Sequence, residues 1–168
     1  MLRPVLTLFL ALATPLPALA QWQGVGRWGS EQSFRFVAPG TWLVLQQGDS
    51  VQITAEGDNH AGRIELSCSR DAPGGQLRLS RYYGDALELS DHELVRFAID
   101  GQSFERSLRY RPADRDWVAS DVLDAALLNA FAWGTRLELL NAANERITAY
   151  ALNGSGTARA ALQRTCGI

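Results

Sequence analysis

The chain has 168 residues, 46% of them hydrophobic, and carries 16 basic against 18 acidic residues for a formal charge of −2. That length suits one domain with a core large enough to be stable unaided. The lack of a basic excess argues against nucleic acid or an anionic membrane surface as a partner, because both are recognised through clustered positive charge. Every basic residue is Arg, which reads as codon bias in a GC-rich bacterial genome rather than as function.

Residues 1–20 read as a secretory signal. Arg3 supplies a positive start, Pro4–Leu12 a short apolar run, and Ala18-Leu19-Ala20 a small-residue cleavage site after Pro15 and Pro17. The run is too short to span a bilayer and no stop-transfer segment follows it, so no membrane span is expected. Cleavage after Ala20 leaves a mature chain that starts at Gln21. Because Arg3 departs, it carries 15 basic against 18 acidic residues, a charge of −3. A periplasmic or secreted location follows, and there the two cysteines, Cys68 and Cys166, are expected to oxidise into one structural disulfide.

Residues 21–33 (QWQGVGRWGSEQS), containing Gly and Trp, read as a loose N-terminal arm, which leaves 34–168 as the folded domain. Trp42–Gln46 and Val51–Ala55 flank Gly48-Asp49, a tight-hairpin signal. Arg63–Ser69 alternates, placing Ile64, Leu66 and Cys68 on one face and Arg63, Glu65 and Ser67 on the other, so Cys68 should face the core. Asp71–Gly75 is expected as a loop, and Gln76–Tyr82 as a strand with Leu77 and Leu79 inward. Leu94–Ile99 and Gln102–Tyr110 flank Asp100-Gly101, whose two turn positions favour positive φ.

Asp121–Trp133 breaks the pattern of strands. Leu123, Leu127 and Phe131, with Val122, Ala126 and Ala130 beside them, predict a short helix with Asp121 as N-cap and Gly134 as a left-handed stop. Arg136–Leu140 and Arg146–Leu152 form a further pair around Asn141–Glu145. Thr157–Thr165 predicts a second helix whose stripe of Ala158, Ala161, Leu162 and Cys166 presses onto the sheet. That stripe carries Cys166 toward the inward-facing Cys68. The sum is a mostly β, single-domain antiparallel β-sandwich or barrel with two short helices and one disulfide.

Chemistry-bearing motifs are few. Gly24-Val-Gly26-Arg-Trp-Gly29 spells a dinucleotide fingerprint but lacks the preceding strand that such a site needs. Asp58-Asn59-His60 and Asp91-His92-Glu93 place imidazole beside carboxylate, the ingredients of proton transfer or metal binding, yet both read as solvated turns. The G-x-S-x-G elbow is absent. No cofactor, metal or catalytic residue is assigned.

Asn153-Gly154-Ser155 reads as the turn between the last strand and the last helix. Two Arg/Tyr patches, Arg78, Arg81, Tyr82 and Tyr83 and then Arg106, Arg109, Tyr110 and Arg111, suit protein contact. Arg106 shares the inward face of Phe104, Leu108 and Tyr110, so it needs an acidic partner or a place at the sheet margin. Trp42, Trp117 and Trp133 are expected in the core, and Trp22 and Trp28 in the arm. The tentative binding residues are Arg78, Arg81, Tyr82, Arg109, Arg111 and Trp28.

The leader, the strand Ile64–Ser69 with its inward Cys, the Asp100-Gly101 hairpin, the run Ile147–Gly154 and the final Ala160–Cys166 carry a resemblance. Over about residues 62–168 the chain resembles small exported proteobacterial β-sandwich proteins, among them the invasion-associated locus B family and periplasmic accessory proteins of type VI secretion. The resemblance implies an envelope-located, disulfide-bonded accessory or binding module, with another envelope protein or a cell-envelope component as partner. The alternative from the residues is an envelope hydrolase using His60 or His92, and a third reading is self-assembly through an exposed strand edge.

Overall fold

The computed structural model describes residues 21–26, 40–58, 62–80 and 92–168, so the leader and the candidate residues Trp28, His60, Arg81 and Tyr82 lie outside the described residues. The described elements are, in chain order, β1 (Gln21–Gly26), β2 (Thr41–Gln47), β3 (Ser50–Glu56), β4 (Arg63–Ser69) and β5 (Ala72–Ser80). There follow β6 (His92–Ile99), β7 (Gln102–Arg111), β8 (Asp116–Ser120), α1 (Ala125–Trp133), β9 (Arg136–Leu140), β10 (Arg146–Ala151) and α2 (Ser155–Cys166). The strands form one antiparallel sheet in the order β1-β2-β3-β4-β5-β8-β7-β6-β9-β10.

Alternation sets the two faces of this sheet. Ile53, Ile64, Leu77, Leu79, Phe97 and Leu139 all turn to one side and are at most 1% exposed. α2 lies across β1–β4 on that side, and α1 packs against α2. Cys68 and Cys166 are joined, so the last turn of α2 is bolted to β4 as expected, across a sequence separation of 98.

The sheet is mostly β architecture bent toward a barrel without closing into one, since β1 and β10 are its two ends. Contacts from β2 and from the turn after β3 nonetheless cover the outer edge of β10. The Trp42 indole N–H donates to the Ala151 carbonyl across 2.8 Å. The Asp58 amide donates to the Ala149 carbonyl at 2.8 Å, and Asp58 Oδ1 accepts from the Ala149 amide at 3.2 Å. These bonds occupy edge groups of β10 that would otherwise template another strand. Trp42 is fully buried and also meets the Phe131 ring edge-on, at 4.7 Å between centroids and 89° between planes.

Several sequence expectations need correction. The first six residues of the expected arm, Gln21–Gly26, pair with β2 instead, because β2 offers its free backbone groups on that side. Asp71–Gly75 is no loop: β5 starts at Ala72, and a slip in the ladder between Ser67 and Ser69 accommodates Pro73 and the glycines. β8 was not expected at all. Its five residues are too few for periodicity to show, and pairing with β5 and β7 on both sides makes it a strand.

Helix α1 begins later than the sequence suggests. Its cap is Asp124, whose side chain accepts from the Leu127 amide at 2.8 Å, whereas Asp121 sits at φ 56 and donates its amide to the Gly75 carbonyl. Gly134 is extended at φ −73 rather than left-handed, and a Cβ there would lie 2.5 Å from Ile99 Cγ2. Close approach, not backbone handedness, is what calls for glycine.

Trp42→Ala is expected to cost about 3–5 kcal/mol in urea unfolding, and Trp42→Phe, which keeps most of the ring but loses the indole donor, a smaller loss of about 1 kcal/mol from the missing hydrogen bond. Native oxidised protein should titrate no free thiol, and replacing both cysteines by Ala should remove up to about 4–5 kcal/mol. Two titratable thiols, or an unchanged urea midpoint, would contradict the clamp.

Candidate functional site

Three of the expected binding residues stand on the outer face of the sheet. β4, β5, β8 and β7 are neighbours there, and their outward positions bring together Glu65, Arg78, Asp116, Arg111 and Arg109. Asp116 is the hub. Its side chain has 0% exposure, and its carboxylate accepts a two-pronged bond from Arg111 Nε and Nη2 at 2.8 and 2.7 Å. Arg78 Nε lies 2.6 Å from Asp116 Oδ2, while Arg78 Nη1 reaches Glu65 Oε1 at 3.2 Å. Asp114 adds a third carboxylate, 3.3 Å from Arg111.

The electrostatics follow from this wiring. Burial alone would raise the Asp116 carboxyl, but the Arg111 hydrogen bond and the charges of Arg111 and Arg78 outweigh it and hold the group below the usual carboxylate range. Burial pushes the Glu65 carboxyl up, against the pull of Arg78 and Arg63. The guanidinium forks of Arg78 and Arg111 are therefore turned inward onto this chain's own acids. Arg109 is exposed on β7, across the ladder from His92 of β6 and Val118 of β8. His92 is itself exposed at the first position of β6.

A second site lies at the far end of α1, and the sequence reading missed it. Trp133, expected in the core, is 87% exposed. Helix geometry explains this: α1 buries Leu127, Leu128, Ala130 and Phe131, and Trp133 projects about 200° around the axis from Phe131. Ala126, Asn129, Ala130 and Trp133 then fall at i, i+3, i+4 and i+7, a single stripe. Two small residues on that stripe leave room for a cleft of about 410 Å³, closed on the other side by Asp100 and Gln102 of the β6–β7 hairpin. A second cleft of about 440 Å³ shares Gly134 and runs over Thr135, Asn153 and Thr157.

The frame holding Trp133 is fixed at both ends of α1. At the start, Arg106 reaches inward and pairs with the cap residue Asp124, and its Nε donates to the Val122 carbonyl at 3.2 Å. This is the acidic partner its inward position demands. At the end, Asp100, at φ 45 in the expected hairpin turn, accepts from the Thr135 amide at 2.7 Å and the Thr135 hydroxyl at 2.8 Å. The Thr135 amide and then its hydroxyl hold the Asp100 carboxyl below its ordinary value. The signal that could have found this site was the stripe itself, small and polar residues ending in Trp on the helix side opposite Leu127 and Phe131.

No group of three or more His, Cys, Asp or Glu side chains among the described residues is placed to hold a metal ion. Among the described residues no helix is long and apolar enough to cross a membrane.

Asp116→Asn is expected to cost about 3–5 kcal/mol at pH 7, because it leaves two guanidiniums without their buried acid. Asp116 titrates lower in the folded than in the unfolded chain. Its contribution is thus complete above about pH 4 and is lost as acid titrates the folded group, so the gap between variant and wild type should close below about pH 4. Glu65 works in the opposite sense, its ionisation lowering stability as the pH rises from 4.5 toward its raised folded value. Glu65→Gln should therefore be milder than Asp116→Asn at pH 7. Urea midpoints of the three proteins from pH 2 to pH 7 check both statements, and a gap that persists into acid would overturn the role given to Asp116.

Compared with protein-family models, curated proteins and solved structures, the chain matches none of them.

Proposed function

We propose that this chain is an exported, non-enzymatic binding or accessory module that acts on another envelope protein or on cell-envelope material, and that it makes contact through the end carrying Trp133. The observation behind this reading is the Trp133 indole, 87% exposed beside a cleft and mounted on a helix pinned at both ends. Exposed aromatic anchors on rigid frames concentrate binding energy, because a large apolar surface is offered with little side-chain freedom to lose. The outer-face arginines lend less support, since Arg78 and Arg111 already bind Asp116.

A disulfide suits an oxidising compartment, which favours reading residues 1–20 as a cleaved leader and the location as periplasmic or secreted. The resemblance to exported proteobacterial accessory proteins points the same way. A hydrolase built on His92 has weaker support, because that residue stands on the exposed start of a strand and lines neither the cleft at Trp133 nor the one that joins it at Gly134.

Two measurements test the reading. Protein recovered from the periplasm should begin at Gln21, and accumulation of uncleaved chain in the cytoplasm would refute export. A photo-reactive residue at position 133 should cross-link one dominant envelope component in cells, while the same residue at the exposed position 47 should not. Equal capture at both positions would remove the contact role from Trp133.

A further inference from the structure

We infer that the cleft beside Trp133, with the second cleft that joins it at Gly134, forms a binding site for a neutral oligosaccharide; the inference rests on the binding-module reading and names the class of ligand. The first argument is the chemistry of the first cleft. Its lining includes the Trp133 side chain, two amide side chains (Gln102 and Asn129) and one carboxylate (Asp100). The electron-rich face of indole attracts the slightly positive C–H groups that line one side of a pyranose ring. Amides supply both donors and acceptors to ring hydroxyls or acetamido groups, and a carboxylate supplies strong acceptors. Gln102 and Asn129 are exposed, and Asp100 is locked in place by Thr135, so these groups are presented and the carboxylate is preset.

The composition of the cleft disfavours other ligands. Asp100 is the one charged lining residue among the described residues and repels phosphates and acidic headgroups, while the nearby Arg159 is engaged with Asn129 and Gln163. Apart from Trp133, the apolar lining consists of Ala126, Ala130 and the almost fully buried Ile99, which offers little continuous apolar surface to an acyl chain or an apolar helix. Each volume, about 410 and about 440 Å³, falls within the range of small-ligand clefts of roughly 300–1,000 Å³.

The second argument is continuity. The two clefts share Gly134, and the second, to which Trp133 does not contribute, is lined by small polar groups of Thr135, Asn153 and Thr157. A chain of sugar rings that starts against Trp133 in the first cleft can therefore run past Gly134 into the second, whereas a single ring would fill one. The site is built for an extended glycan.

The test uses the mature, disulfide-bonded protein and three neutral probes: tetra-N-acetylchitotetraose, cellotetraose and maltotetraose, each with its monosaccharide. The Trp133 indole N–H resonance, assigned by its loss in Trp133→Phe, is followed during titration. At least one tetraose should shift it saturably, with an affinity about tenfold or more above that of its monosaccharide if both clefts are filled. Trp133→Ala, a change at an exposed position that leaves the fold intact, should abolish binding. Asn129→Ala and Gln102→Ala should each weaken it about fivefold, the loss of one hydrogen bond, while Gln47→Ala should not change it.

No shift with any tetraose at about 10 mM would overturn the inference, as would binding that survives Trp133→Ala. If the glycans fail but a residue at position 133 still captures one envelope protein, the ligand class is wrong and the binding-module reading stands. If both fail, the reading falls with it.

Discussion

The seam between the two ends of the sheet is the constraint on which the rest depends. Among the described residues, ten strands in one antiparallel sheet leave two edges and one apolar face to hide, and strand pairing alone hides neither edge. Trp42 and Asp58 cover one of them with groups from β2 and from the turn after β3. Asp58 does more than cap: its Oδ2 also lies 3.0 Å from Arg136 Nη2 and 3.7 Å from Arg146 Nη1, holding β9 and β10 together. With the sheet bent in this way, the inner face becomes a concave surface that α1 and α2 can fill. The disulfide then fixes the last turn of α2 to the end of β4.

Once the core is closed, the polar residues divide into two groups. On the outer face, Glu65, Arg78, Asp116, Arg111 and Asp114 pair with one another. Such a cluster is better at fixing the register of β5, β8 and β7 than at adding net stability, because desolvation offsets much of the attraction. At the α1 end the charged residues act as fasteners. Arg106–Asp124 and Asp100–Thr135 clamp the helix, so the exposed groups there, Trp133, Gln102 and Asn129, whose Oδ1 accepts from Arg159, sit on a rigid support. Preorganisation of this kind lowers the entropy lost on binding.

Much of the fold was legible in the chain. The alternation of Ile64, Leu66 and Cys68, the Asp100-Gly101 turn and the stripe of Ala158, Ala161 and Leu162 each have one dominant physical reading, and each appears as expected. The candidate site was legible only in part. Arg78, Arg109 and Arg111 were chosen for residue type, and type does not reveal that Arg78 and Arg111 point at an acid brought in by β8, a strand too short to announce itself. Trp133 was placed in the core because most large aromatics belong there. The helix begins at Ala125 and stops at Gly134, and that phase turns the indole outward.

The sequence by itself determined the local preferences: which residues alternate, where turns need positive φ, which two cysteines could meet, and which stripe of α2 is apolar. These follow from sterics and hydrophobic periodicity over a few neighbouring residues. Tertiary structure alone decided the order in which strands pair, the recruitment of residues 21–26 as an edge strand, the burial of Asp116 and the exposure of Trp133. Each of these depends on what distant segments bring to the same place. A strand five residues long, or a helix phase set by one cap, gains its meaning from packing partners that no local pattern encodes.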